Sequence, residues 1–231
     1  MKKRVWELDA ARGLALIGMI GIHLIYDLVE LYGIWDWNPG WYQLFKNNYG
    51  AIFLLISGIS ATLGSHPVKR GFQVFCCGFL CTGVTAGMYF LGFAGKDIII
   101  YFGVLQCLGC CMMLWPLFRK LPSWALLVLA AGMIGLGLWL RGVGFSFPWL
   151  TVLGFAPYGF ASSDYFPLFP NLGYFLAGAV LGRKAYAGKK SLLPRENPPC
   201  KALQWLGRNS LLVYLLHQPV LAAVVGIITL L

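Results

Sequence analysis

The chain has 231 residues, 59 % of them hydrophobic and only 11 % charged, with a mean hydropathy of +0.72 and a net charge of +10. A water-soluble domain carries about a quarter charged residues, so this composition excludes a soluble enzyme or binding module. It points to an all-α, polytopic membrane helix bundle, a single domain over residues 1–231 with the lipid bilayer as its surroundings. The positive balance does not indicate nucleic acid, because no soluble basic face interleaved with aromatics exists.

Seven apolar stretches approach the roughly 20 residues that a crossing helix needs. They are predicted at 9–32, 47–65, 71–93, 98–118, 123–141, 170–187 and 208–230. The first follows Lys2, Lys3 and Arg4, as a signal peptide would. It is too long for such a peptide's apolar region and has no A-x-A site, so it is read as a retained span. Its ionisable residues Asp9, Arg12, His23, Asp27 and Glu30 fall within about 60° of one another at 100° per residue. A charge at mid-bilayer costs a few kcal/mol or more, so this stripe is expected to face the bundle interior or a watery cavity. Imidazole is the one side-chain type among them that ordinarily titrates near neutral pH. His23 and Asp27 are vertical neighbours at i, i+4. They read either as a polar pair gluing helices or as a base whose ring the carboxylate orients. Three further ionisable residues on the same span favour the second reading. Asp9 and Arg12, at i, i+3, form either an ion pair locking the helix end or a mouth for an anionic cofactor.

The loop from Glu30 to Lys46 holds Trp35, Trp37, Trp41 and Tyr42, which an interfacial aromatic belt explains and a sugar-stacking platform also fits. Cys76, Cys77 and Cys81 fall in the third span and Cys107, Cys110 and Cys111 in the fourth, where they read as small buried hydrophobes and not as a disulfide framework or metal site. Cys200 lies in a long basic loop from Arg183 to Arg208. Gly132, Gly135, Gly137 and Gly142 read as helix contacts. Residues 145–170, apolar but broken by Pro148, Pro157, Pro167 and Pro170, read as a re-entrant or surface-lying segment near 145–169 on the outer side. Within it, Asp164 and Tyr165 stand at the edge of the sixth span. In the last span Ser210, Tyr214, His217 and Gln218 share a face, and Pro219 is expected to break the helix there.

With the N-terminus in the cytoplasm, Lys2, Lys3, Arg4, Arg12, Lys69, Arg70, Arg119, Lys120, Arg183, Lys184, Lys189, Lys190, Arg195, Lys201 and Arg208 fall on the inner side. Only Lys46, Lys96 and Arg141 fall outside. This split of fifteen to three predicts a multi-pass protein of the cell (inner) membrane with a cytoplasmic N-terminus.

Five segments together resemble the heparan-alpha-glucosaminide N-acetyltransferase-like integral membrane acyltransferases, in their bacterial form. They are RVWELDAARGLALIGMIGIHLIYDL, FLLISGISATL, FGVLQCLG, SSDYFPLFPNLGYFLAGAVLG and LGRNSLLVYLLHQPVL, in order and over most of the chain. The resemblance implies transfer of an acetyl group from cytosolic acetyl-CoA to an extracytoplasmic sugar amine or hydroxyl, without a metal. On this reading His23 and Asp27 are catalytic. Arg12, Asp9, Arg208, His217 and Gln218 meet acetyl-CoA, and Asp164, Tyr165 and Glu30 meet a small carbohydrate. A homodimer is compatible with it. One departure stands out: Gln106 occupies the position of His in an F-G-x-L-H pattern of the fourth span. The lysosomal enzyme's large soluble domain is also missing, which argues against heparan itself as substrate. The rival class is a proton-coupled transporter using the same stripe, which would show inverted repeats; no internal repeat is found. A third class is a structural subunit.

Overall fold

The computed structural model describes residues 5–37, 39–193 and 198–230. The predicted charges at Lys2, Lys3, Arg4 and Arg195 lie outside them. The described elements are α1 (Trp6–Tyr26), α2 (Gly40–Leu63), α3 (Pro67–Phe90), α4 (Val104–Phe118), α5 (Ser123–Leu140), α6 (Leu168–Ala185), α7 (Pro198–Arg208) and α8 (Ser210–Leu230). A π-helical turn, Asp27–Leu31, prolongs α1. Among the described residues there is no β-strand, only two isolated bridges. Among the described residues, four helical stretches are long and apolar enough to cross a membrane: Trp6–Leu31, Pro67–Phe90, Ser123–Leu140 and Ser210–Thr229. α4 is apolar but has only 15 residues. The chain is a multi-pass, all-helical membrane protein.

Two compact units are present. One joins residues 1–53 to 188–231, and the other spans 54–187. Helices in lipid gain little from burying apolar surface, so their association depends on close backbone approach at small residues. In the first unit α1 packs along α7 and against α8. A Cβ on Gly13 would lie 2.0 Å from the Leu203 carbonyl oxygen, and one on Gly207 would lie 1.8 Å from that of Asp9. Only glycine permits that crossing.

In the second unit Gly71 and Gly109 bring α3 and α4 together, Gly58 and Gly178 bring the end of α2 onto α6, and Gly137 receives the Phe169–Pro170 backbone of α6. The prediction of glycine contacts on α5 holds for Gly137 alone. Gly132, Gly135 and Gly142 have open space where a Cβ would stand. The cysteines are free, with Cys107 and Cys111 buried.

Three expectations need correcting. The basic loop between Arg183 and Arg208 contains α7, an amphipathic helix whose charges stand among apolar residues; Cys200 therefore sits on a helix. α8 passes through Pro219 without a break. The missing proline N–H leaves only one carbonyl unpaired, a cost that neighbouring helices can absorb. Glu30 leaves the stripe and is exposed, paired with Lys46.

The irregular segment between α5 and α6 is tied to the residues that precede α4. Ser162 Oγ donates to the Ile99 carbonyl at 2.8 Å, Ser163 Oγ to that of Ile98 at 2.6 Å, and the Phe166 N–H to Phe102 at 2.9 Å. These bonds satisfy backbone that no helix pairs.

Candidate functional site: a two-histidine cluster in the first unit

The last turn of α1 and one turn of α8 build the cluster. Asp27, fully buried, is the residue at which α1 passes into its π-turn. Its Oδ1 accepts a hydrogen bond from Gln218 Nε2 at 2.6 Å. His217, the residue before Gln218, is 9 % exposed, and its ring stands edge-on to that of His23, with centroids 4.7 Å apart and planes at 80°. Tyr214 flanks it at 5.3 Å. The stripe of α1 and the polar face of α8 therefore meet, as expected for charges that must avoid hydrocarbon.

Both imidazoles are held in the same sense. His23 Nδ1 lies 3.0 Å from the Met19 carbonyl oxygen, and His217 Nδ1 lies 2.5 Å from that of Tyr214. A carbonyl only accepts, so each Nδ1 carries a proton, and in the neutral form each ring presents an Nε2 lone pair. The ring of His23 is thus oriented by its own helix, not by Asp27 as the i, i+4 spacing suggested. The carbonyl one turn below is the nearer acceptor, and Asp27 is engaged by α8. Asp27 Oδ2, Gln218 Oε1 and His217 Nε2 are buried without a protein partner. Buried polar atoms are usually satisfied, and all three of these are acceptors.

At the opposite end of α1, two guanidinium groups share one carboxylate. Arg12 Nη1 is 3.1 Å from Asp9 Oδ1, and Arg208 Nε is 3.4 Å from Asp9 Oδ2. Arg208 Nη2 also donates to Gln204 Oε1 at 2.8 Å. Gln204 Nε2 is buried and unpartnered. The trio carries a positive excess beside an unused donor. Gln204 escaped the sequence reading because a lone glutamine in a supposed loop carries no periodic signal.

Glu30 meets Lys46 at 2.6 Å. The π-turn adds a residue to the turn, so positions after Asp27 lose the α-helical register. Trp35 and Trp37 stack at 5.2 Å, with Trp41 and Tyr42 against them. A groove of about 520 Å³ on α2 is lined by Trp41, Leu44, Phe45, Asn48, Tyr49 and Ile52. His23 does not line it.

In the second unit, Asp164 Oδ2 accepts the Val104 N–H at 3.1 Å, at the start of α4. Tyr165 donates to the Thr151 carbonyl at 2.6 Å, and burial pushes its phenol above the ordinary tyrosine range. It borders a hollow of about 220 Å³ that also touches Arg141, Phe160 and Phe169. Gln106 is buried with both amide ends used: Oε1 accepts the Gly103 N–H and Nε2 donates to Thr82 Oγ1, each at 2.9 Å.

In this membrane protein α1 and α8 bring a half-buried and a buried imidazole together. The profile of the heparan-alpha-glucosaminide N-acetyltransferase catalytic family matches residues 4–219, and the chain belongs to that family of membrane acetyltransferases. Comparison with curated proteins gives no match, and neither does comparison with solved structures.

Proposed function

We propose that the protein moves an acetyl group from acetyl-CoA to an amine or hydroxyl of a small carbohydrate across the cell membrane, with seven crossing helices, residues 1–231 as one domain and the N-terminus in the cytoplasm. The pairing of His23 with His217 beside buried Asp27 is the observation that carries this reading. An imidazole Nε2 lone pair can attack a thioester carbonyl or take an acceptor's proton. Arg12 and Arg208, in excess over Asp9, suit the phosphates of the donor. Asp27 Oδ2 and Gln218 Oε1 suit the N–H or O–H groups of an acceptor. The Lys and Arg split of fifteen to three supports the orientation.

The test uses the full chain in proteoliposomes with labelled acetyl-CoA and added amino sugars. His23→Ala should lower acetyl transfer by about 10²- to 10⁴-fold, the usual worth of a positioned histidine. Arg12→Ala should weaken donor binding more than it slows chemistry. Wild-type turnover in His23→Ala would end the role of this residue. Proton-coupled solute flux without binding of acetyl-CoA would identify a permease instead.

A further inference from the structure

The cluster contains two imidazoles, and one acyl transfer through His23 leaves the second without an assigned task. We propose that His217 is a second catalytic residue, the base that removes the acceptor's proton while His23 carries the acyl group; this rests on the acetyltransfer reading above.

The tautomers decide which atoms can react. His23 Nδ1–H is donated to Met19, so Nε2 is the only nitrogen that can attack. Attack on the thioester carbonyl forms the Nε2–C bond and breaks the C–S bond, and the sulfur leaves with its electron pair as a thiolate. The acylated ring then has no lone pair. Its remaining proton is held by a backbone carbonyl. That ring cannot also accept the proton of an incoming amine, so a different base must lie within reach.

His217 meets that need. Its ring is 4.7 Å from that of His23, centroid to centroid. Its Nδ1 is likewise tied to a carbonyl, which leaves Nε2 as the lone pair, and that atom is buried with no protein partner. When the amine nitrogen attacks the acyl carbon, the C–N bond to His23 breaks and its electron pair returns to Nε2. The amine's proton passes to His217 Nε2. The imidazolium so formed lies in the same cluster as the Asp27 carboxylate, which is bound to Gln218, the next residue along α8. His217 then yields its proton to the thiolate, and the products are the N-acetyl compound and CoA. Asp27 Oδ2, buried without a protein partner, is left to orient the acceptor's N–H or O–H.

This division of labour separates two half-reactions. With wild type in proteoliposomes, labelled CoA should exchange into acetyl-CoA without any acceptor, and acetyl should pass to added glucosamine. His217→Gln, which keeps a polar side chain but cannot take a proton, should lose far more of transfer than of exchange. Its transfer to glucosamine should fall by about 10²- to 10⁴-fold. His217→Ala should regain transfer when free imidazole is added. His23→Ala should lose both half-reactions. Transfer by His217→Gln within tenfold of wild type would overturn the assignment. So would an equal loss of exchange and transfer that imidazole does not relieve, which marks a structural role. Wild-type transfer without exchange would mean direct attack and would overturn it as well. A wild type that neither exchanges CoA nor acetylates any acceptor would overturn the acetyltransfer reading, and this one with it.

Discussion

Gly207→Ala tests the claim that the α1–α7 seam holds the arginine mouth in place. The new Cβ would lie 1.8 Å from the Asp9 carbonyl oxygen, 2.7 Å from its carbonyl carbon and 3.1 Å from the Gly13 nitrogen. Ordinary contact starts at 3.4 Å, so the seam must open by 3.4 − 1.8 = 1.6 Å. All three atoms are backbone within a helix, and none can swing aside. Overpacking of this kind costs about 1–3 kcal/mol, and a rigid backbone clash belongs at the upper end. The better helix propensity of alanine returns about 1 kcal/mol. The net loss of about 2 kcal/mol corresponds to about 4–8 °C in Tm for a chain of this length. The same opening would carry Arg208 away from Asp9, now at 3.4 Å, and should weaken acetyl-CoA binding. Gly21→Ala is the control: it lies on α1 with nothing within 4 Å of a Cβ, and should gain about 2–4 °C. The assay is thermal unfolding in detergent, followed by circular dichroism. A Gly207→Ala protein as stable as wild type, or a Gly21→Ala protein that loses as much as Gly207→Ala, would refute the argument.

Two further substitutions test the second unit by the same assay. Gln106→Leu should lower stability by about 1–3 kcal/mol, because it strips partners from both the Gly103 N–H and Thr82; an unchanged Tm would deny the capping role. Asp164→Asn, which still offers an oxygen to the Val104 N–H, should cost less than about 1 kcal/mol, the worth of a charge at a helix N-terminus, whereas Asp164→Ala should cost more. Equal losses in the two would show that the hydrogen bond is idle.

The helices were legible because a bilayer imposes a length and an apolar composition that few other environments demand. Stretches predicted at 47–65, 71–93 and 123–141 overlie α2, α3 and α5 with ends displaced by up to seven residues. The failure at α7 has the same cause. An 11-residue helix with charges on one face has no apolar length to register, and its signal is a pattern hidden among basic residues and prolines. Glycine contacts were half legible. The residue type permits close approach, but which helix arrives there depends on packing, so Gly137 met a neighbour while Gly132 and Gly135 did not.

The site divides along a similar line. Periodicity brought Asp9, Arg12, His23 and Asp27 to one face, because each obeys the 100° step up to the end of α1. Glu30 did not follow, since the π-turn begins at Asp27 and no local residue pattern announces it. Partner choice was hidden for a different reason. Spacing within one helix says which groups are neighbours on that helix, but a side chain bonds to the best acceptor in three dimensions. For His23 that acceptor is the backbone of its own preceding turn, and for Asp27 the partner is a glutamine 191 positions away. The consequence is chemical. A histidine oriented by a carboxylate would have its basicity raised and its charge balanced by one partner. Here a carbonyl accepts from the ring, the carboxylate is held by Gln218, and a second imidazole arrives from α8. The cluster therefore arises from the meeting of α1 with α8 more than from any motif within either helix.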